Sequence, residues 1–247
     1  MDLGRLLEAP SWESPLRHTA ELLAVAGQLS PDSPVLVPHT ETATAEARLA
    51  AVDQLGAAGL RLRPVIAARR LRSAAEAEVL LRSLVTERGI REVFLTGGDL
   101  PAPAGPYRSG LSLVESGALE GLGRDGRGLA LVGVPGHPAG HPRISDNELM
   151  SSLVRKVSAL EARGLSVEIT TQIVLDPSAV AAWIHAVRER GITVPVRIAV
   201  PRLTDPSPFL RELVREAGAD LAGARMHLSP SDSPGAALAW LRSMGTE

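Results

Sequence analysis

The sequence predicts a single-domain (βα)8 barrel over residues 1–247. Three observations favour this fold: short apolar runs alternate with longer segments of helical period, the runs are nearly continuous as in buried parallel strands, and no linker or low-complexity segment divides the chain. A length of 247 residues is also typical of one such barrel. An open, doubly wound sheet is the alternative if only seven strands form.

The strands are predicted from apolar runs bounded by Pro, Gly or Asp. Seven runs are clear, and the segment APSWES before the first helix is the candidate for the eighth. In chain order, the predicted strands cover residues 9–14, 34–38, 60–67, 91–96, 128–134, 166–174, 195–200 and 224–229.

The helices are predicted from apolar stripes of helical period between the strands. Several begin at a proline and end before a glycine, as Pro177 and Gly191 illustrate, which is the usual asymmetry of helix ends. Ser73 is a candidate N-cap, and Gly59 and Gly164 are candidate C-caps. The predicted helices cover residues 16–29, 43–58, 74–88, 146–163, 177–190, 206–217 and 233–244.

Composition argues against several classes of protein. The net charge of −2 provides no electrostatic reason to expect nucleic acid or an anionic membrane as a partner. The absence of cysteine excludes disulfides and thiolate metal sites. No apolar run is long enough for a membrane span, and the first residues lack a signal-peptide core. We therefore expect a cytoplasmic protein.

Three polar residues stand where predicted strands end. Glu13 would end the first strand, Asp99 follows the fourth, and Gln172 lies near the end of the sixth. In a barrel, all three would face the mouth at the carboxyl ends of the strands, where such folds keep their chemistry. A carboxylate there can bind a cationic or NH-rich heterocycle or move a proton, and an amide matches the edge of a pterin, flavin or nucleobase.

Each of the three also has a purely structural interpretation. Asp99 can accept backbone hydrogen bonds in its Gly-rich turn, Gln172 can be satisfied by neighbouring backbone, and Glu13 can face solvent at the N-terminus. His137 and His141 are interrupted by prolines and have no acidic partner at metal spacing, so no metal site is predicted. The Gly-rich segments TGGDL, after the fourth predicted strand, and GHPAG, after the fifth, lack the pattern of a phosphate-binding loop.

Four motifs in order resemble those of the methylenetetrahydrofolate reductase family. They are LTGGDLP followed by Tyr107, then VPGHPAGHP, then LVRKVSALEARG, then ITTQIVLD, and the match extends over residues 60–200. The resemblance implies a (βα)8 barrel that reduces 5,10-methylenetetrahydrofolate to 5-methyltetrahydrofolate with NADH or NADPH, usually through FAD. The expected partner is therefore a small-molecule folate.

The resemblance also implies roles for individual residues. Gln172 would bind the folate, Asp99 would lie beside the pterin, and Glu13 would be the general acid that opens the five-membered ring. The cofactor-binding positions that match are Tyr107, His137 and Lys156.

Other family positions differ, and most of them touch FAD in the family. The departures are Pro38, Gly97, Gly110, Val134, Ser152 and a missing Glu in VPGHP. FAD is thus a possible cofactor, and direct hydride transfer from the nicotinamide is its alternative.

Two further functions are compatible with the sequence. One is a non-redox folate-binding barrel or a subunit of a methyl-transfer system. The other is a different small-molecule barrel enzyme, such as an aldolase, which would use a buried lysine on a strand; no predicted strand contains one.

Overall fold

The structure is a computed structural model that describes residues 3–13, 15–40, 43–122, 128–200, 207–228 and 234–244. Its eight strands are all parallel and follow one another in chain order around a closed barrel. They are β1 (Ser11–Glu13), β2 (Val35–Val37), β3 (Leu62–Ala67), β4 (Glu92–Thr96), β5 (Leu131–Gly136), β6 (Ser166–Thr171), β7 (Val196–Ala199) and β8 (Arg225–Leu228).

The pairing between β1 and β8 closes the barrel, with Ser11 opposite His227 and Trp12 opposite Leu228. This confirms the predicted (βα)8 fold and excludes the open, doubly wound sheet. The APSWES segment does supply the eighth strand.

Nine α-helices surround the barrel in the described ranges. They are α1 (Leu3–Leu7), α2 (Thr19–Val25), α3 (Ala45–Ala57), α4 (Ala74–Arg82), α5 (Gly110–Glu115), α6 (Asp146–Glu161), α7 (Pro177–Glu189), α8 (Ser207–Ala217) and α9 (Pro234–Met244). Within those ranges, no helix is both long and apolar enough to cross a membrane.

The predicted caps account for several helix ends. Ser73 accepts a hydrogen bond from the backbone N–H of Glu76 at the start of α4. Gly59 and Gly164 have positive φ angles of 78° and 75° after α3 and α6, a conformation that costs glycine little.

Some element boundaries differ from the prediction. The helix predicted over 16–29 is α-helical only in α2, because 3₁₀ turns flank it on both sides, and the helix predicted over 74–88 changes into a π-helical turn at Ser83–Glu87. Strand β5 lies about three residues later than predicted, and β6 ends at Thr171. The predicted ends at residues 14, 206, 229 and 233 lie outside the described residues.

The main apolar core lies between the barrel and the helices. Alternate strand residues such as Leu95, Val134 and Ile169 point outward and are buried there, packing with helix residues such as Leu153 and Leu160 of α6.

Charged side chains fill the amino-terminal half of the barrel interior. Arg63 of β3 is fully buried and donates hydrogen bonds to Glu92 of β4, at 2.8 Å and 3.0 Å, and to Glu168 of β6. Arg197 of β7 donates to Glu168 at 2.7 Å and to the backbone oxygen of Ala9 at 2.9 Å. We call Arg63, Glu92, Glu168 and Arg197 the interior ion network.

Two layers of inward-facing residues lie above this network, toward the carboxyl ends of the strands. The strand register and the two-residue alternation define them, because alternate strands of a barrel contribute one layer. The middle layer comprises Leu36, Phe94, Thr170 and His227. The upper layer comprises Glu13, Val65, Pro135 and Ala199.

Candidate active site

The mouth of the barrel is bounded by the upper layer and by the loops that follow the strands. Glu13, Asp99 and Gln172 all lie at this end, as predicted from their positions after β1, β4 and β6. They belong to three separate groups of residues around the mouth.

The first group joins Glu13 to the barrel closure. His227 of β8 is buried, and its Nδ1 lies 2.8 Å from the Ser11 hydroxyl. Its Nε2 lies 3.6 Å from Glu13 Oε2, within ion-pair range, and the Glu13 side chain is 37% exposed. Ser11 Oγ also lies 3.5 Å from the Met226 carbonyl oxygen.

These contacts favour one arrangement of protons. If the Ser11 hydroxyl donates to the Met226 carbonyl, it accepts from Nδ1–H of His227, and Nε2 is left as an acceptor that faces Glu13. Glu13 is therefore a carboxyl group at the mouth whose Oε2 lies 3.6 Å from Nε2 of a buried imidazole.

The second group surrounds Asp99 in the loop after β4. Gly98 has a φ of 90°, which glycine adopts readily, and a Cβ at this position would lie 3.0 Å from that of Ala67. The Asp99 side chain is 71% exposed, and Arg70 Nη2 donates to its Oδ1 at 2.6 Å. This hydrogen bond from Arg70 lowers the pKa of Asp99, so the group is a carboxylate at neutral pH.

His39, after β2, lies beside this ion pair. Burial, helped by Arg48 and Arg70, lowers the pKa of His39 to about 4, so its imidazole is neutral at pH 7. Its Nδ1 accepts a hydrogen bond from the Ala67 backbone N–H at 3.3 Å. The proton of the neutral ring therefore resides on Nε2, which is a hydrogen-bond donor.

The third group holds Gln172 immediately after β6. Its backbone N–H donates to the Gly136 carbonyl at 2.9 Å. In the amide orientation that satisfies both ends of the side chain, Nε2 donates to the Gly140 oxygen and Oε1 accepts from Ala139 N–H, both at 3.3 Å. These long contacts tether a half-buried amide to the loop after β5 and leave it able to exchange partners with a ligand.

The loop after β5 also carries His137 and His141. Their rings meet edge to face with centroids 6.2 Å apart, and burial, Lys156 and His141 lower the pKa of His137 to about 4. Among the described residues, no group of three or more His, Asp or Glu is arranged to hold a metal ion.

The residues matched to flavin-binding positions do not form one surface. Tyr107 is only 4% exposed and borders an outer groove formed by α4 and the segment after α5. Lys156 is buried on α6, and His137 lies at the mouth after β5. Lys156 lies near enough to His137 to lower its pKa, but Tyr107 borders a different groove, so the three matched residues do not line one FAD site.

Lys156 has a further unusual property. It is the only lysine of the chain, and burial lowers its pKa to about 8. It lies on a helix. The aldolase alternative would require a buried lysine on a strand, and none of the eight strands contains a lysine.

Sequence reasoning placed His39 at a strand end where it could line the mouth, but did not identify Ser11, Arg70 or His227 as site residues. Only His227 carried a signal comparable to that of Gln172, namely a polar residue within the apolar run RMHLS. The contacts of the others depend on which strands become neighbours.

Comparisons with known proteins agree on the fold. No protein family model matches this chain. Dihydropteroate synthase from Thermus thermophilus is similar at 15% identity over 96% of this chain and 95% of that chain, with a TM-score of 0.50. The carboxyl transferase domain of Rhizobium etli pyruvate carboxylase is similar at 12% identity over 99% of this chain and 47% of that chain, with a TM-score of 0.54. Such low identities demonstrate a common barrel fold and nothing finer.

Proposed function

We propose that this chain reduces 5,10-methylenetetrahydrofolate to 5-methyltetrahydrofolate, with a reduced nicotinamide as the direct hydride donor. The observation that carries the proposal is the position of Glu13, a partly exposed carboxyl group beside buried His227, at the same barrel mouth as the amide of Gln172. The reaction begins with a proton donor and a group that binds the heterocycle, and Glu13 and Gln172 are proposed to supply them.

The proposed reaction begins with proton transfer. Glu13 donates a proton to the bridging nitrogen N10, the bond from N10 to the methylene carbon breaks, and an N5 iminium cation remains. Glu13 is then a carboxylate, and a proton from solvent, which reaches this partly exposed side chain, restores the acid; the buried His227 ring lies 3.6 Å away.

Charge and position then govern the reduction. The reduced nicotinamide supplies a hydride to the methylene carbon, which becomes the N5 methyl group, and the oxidised nicotinamide leaves. Asp99 is ionised and paired with Arg70 at 2.6 Å, so its proposed role at the rim of the mouth is that of a hydrogen-bond acceptor rather than of a net negative charge. Arg70 donates to one oxygen of Asp99, and we propose that the other oxygen accepts a hydrogen bond from a substrate NH group.

Gln172 is proposed to bind the pterin edge. Its side chain has only two contacts of 3.3 Å, and a ligand that offers one donor and one acceptor can replace both. The barrel of dihydropteroate synthase, whose name denotes a pterin product, indicates that the fold is compatible with such a ligand.

The test combines turnover, binding and absorbance on one purified protein. We expect NADH or NADPH to be oxidised only when 5,10-methylenetetrahydrofolate is present, and the protein to lack a flavin absorbance band. Gln172→Ala should raise the dissociation constant for 5-methyltetrahydrofolate by about 10-fold, the effect of losing one or two hydrogen bonds. Exposed Gln28, distant in sequence and outside the mouth, provides the control Gln28→Ala.

The alternative is a folate-binding barrel without redox activity. Binding of 5-methyltetrahydrofolate without nicotinamide oxidation would favour it over the reductase. A protein that neither binds reduced folate nor oxidises the nicotinamide would overturn both.

A further inference from the structure

Thr170 is an inward-facing residue in the middle of β6. Glu168, two residues earlier, reaches Arg63 across the barrel, and Gln172 follows two residues later at the mouth. Because side chains two apart on a strand share a face, Thr170 points into the barrel between the interior ion network and the mouth. It is 5% exposed.

The Thr170 hydroxyl lacks a hydrogen-bond partner among the described residues. Its neighbours in the middle layer offer none: Leu36 and Phe94 are apolar, and the two ring nitrogens of His227 face Ser11 and Glu13. A buried hydroxyl without a partner is destabilising, so such groups in native proteins call for an explanation.

We infer that the Thr170 hydroxyl contacts the pterin ring of the substrate and positions it below Gln172. This inference rests on the proposed function. The Cα atoms of Thr170 and Gln172 are two strand residues, about 6.6 Å, apart, a spacing that one bicyclic ring can span. The pterin then stands edge-on along β6, with its outer edge at the amide and its inner edge at the hydroxyl.

The surroundings suit this placement. Half-buried Phe94 packs against Gly133, where an added Cβ would lie 2.6 Å from the Phe94 ring, so the aromatic ring forms one wall of the middle layer. His227 lies in the same layer and Glu13 in the layer above, on the β8 and β1 side. A ring held at Thr170 and Gln172 therefore lies at the level of the layer that contains the proton donor.

A hydroxyl is well suited to this contact because it can donate or accept. It can accept from a ring N–H or donate to a ring nitrogen or carbonyl as the substrate changes its protonation. Valine has nearly the same branched shape as threonine, so Thr170→Val removes the hydroxyl without opening a cavity.

The experiment compares variants that separate the hydroxyl from the methyl group. Thr170→Val keeps the volume and loses the hydroxyl, whereas Thr170→Ser keeps the hydroxyl and loses the methyl group. For binding of 5-methyltetrahydrofolate by calorimetry, we expect Thr170→Val to raise the dissociation constant about 3- to 10-fold and Thr170→Ser to stay within about 2-fold of wild type. Thr170→Val should also melt at the wild-type temperature or above it.

Ser33 offers a matched control. Its hydroxyl is also buried without a described partner, but it precedes β2 at the opposite end of the barrel. Ser33→Ala should raise the melting temperature without changing the dissociation constant. Ser33→Ala thus shows how removal of an unpaired hydroxyl far from the mouth changes the melting temperature and the dissociation constant.

Two results separate this inference from the proposed function. If wild-type protein does not bind 5-methyltetrahydrofolate, the proposed function fails. If wild type binds and Thr170→Val binds equally well, or if Thr170→Ser loses more affinity than Thr170→Val, the Thr170 assignment fails while the proposed function stands. If Thr170→Val does not fold, the dissociation constants of Thr170→Ala and Thr170→Ser are compared instead. These two variants also differ by the presence of the hydroxyl.

Discussion

Among single residues, Glu13 is the one on which the proposed chemistry depends most directly. We expect Glu13→Gln to lower kcat/KM for 5,10-methylenetetrahydrofolate by about 10²–10⁴-fold, because the amide cannot donate an acidic proton. Affinity for 5-methyltetrahydrofolate should change by less than about 3-fold, since ring opening is not part of product binding. Steady-state kinetics and calorimetry on the same preparation measure both quantities.

Exposed Glu161 at the end of α6 provides the control for this substitution. Glu161→Gln removes the same charge far from the mouth and should leave both constants unchanged. A Glu13→Gln protein with wild-type kcat would show that another group supplies the proton.

Individual site residues differed in how well they could be predicted. Glu13, Asp99 and Gln172 could be assigned to one end of the barrel because each stands at the end of an apolar run, which is a local signal. The hydrogen bond between Ser11 and His227 joins residues 216 positions apart, so it exists only because β1 closes against β8. Thr170 gave no local sign that its hydroxyl lacks a partner, because that depends on every neighbouring strand.

At the scale of elements, the loop between β4 and α5 determines where Asp99 lies. Its backbone is anchored by a hydrogen bond from Ala104 N–H to the Arg69 oxygen at 2.8 Å. A Cβ on Gly105 would lie 2.4 Å from the carbonyl oxygens of Leu71 and Arg72, which are backbone atoms that cannot move away independently.

We expect Gly105→Ala to destabilise the protein by about 1–3 kcal/mol, the usual cost of overpacking, and to weaken folate binding by displacing the loop. Urea denaturation and calorimetric titration are the measurements. Gly27→Ala is the matched control, because an added Cβ there meets no atom within 4 Å and Gly27 does not have a positive φ. Equal stability of the two variants would contradict the close approach at Gly105.

Element boundaries could be predicted where backbone chemistry marks them. The left-handed glycines after α3 and α6 are such marks, and so is the Ser73 cap. Helix α5 escaped prediction because it is only six residues long and lies within a stretch rich in Gly, Pro and Ser. Its capping box uses two serines, Ser109 and Ser112, and lacks the acidic residue that usually reveals the pattern.

For the whole molecule, the interior ion network makes stability depend on pH. Burial alone would raise the pKa of Glu168, but Arg63 and Arg197 outweigh it, so the net pKa lies below its usual value of 4.5. A carboxylate with a lowered pKa stabilises the fold above its unfolded-state pKa, and this stabilisation is lost as the pH falls through the folded-state value.

We therefore expect the free energy of unfolding to fall steeply as the pH drops below about 4.5. Glu168→Gln should lose roughly 3–5 kcal/mol at pH 7, because Arg197 keeps only a backbone acceptor, and should show a shallower acid transition. Urea denaturation between pH 3 and pH 7 measures both effects. Parallel pH profiles for variant and wild type would contradict the assigned role of Glu168.

The architecture of the whole molecule followed from strand and helix alternation, but the contents of the barrel did not. Glu168 and Arg197 sit within otherwise apolar runs, whereas Arg63 and Glu92 stand close to a second charged residue, and in either setting a charged residue can equally face solvent. Their pairing requires β3, β4, β6 and β7 to surround one axis, which is a property of the closed barrel.

The burial of the only lysine has a practical consequence for chemical labelling. Reagents that acylate amines have one lysine side chain to modify in this chain, and it is buried on the inner face of α6. The rate at which Lys156 is acylated therefore measures how often α6 opens. Peptide mass spectrometry distinguishes acylated Lys156 from an acylated terminal amine. A ligand that lowers the rate of labelling would show that its binding makes the opening of α6 less frequent, and no engineered probe is needed.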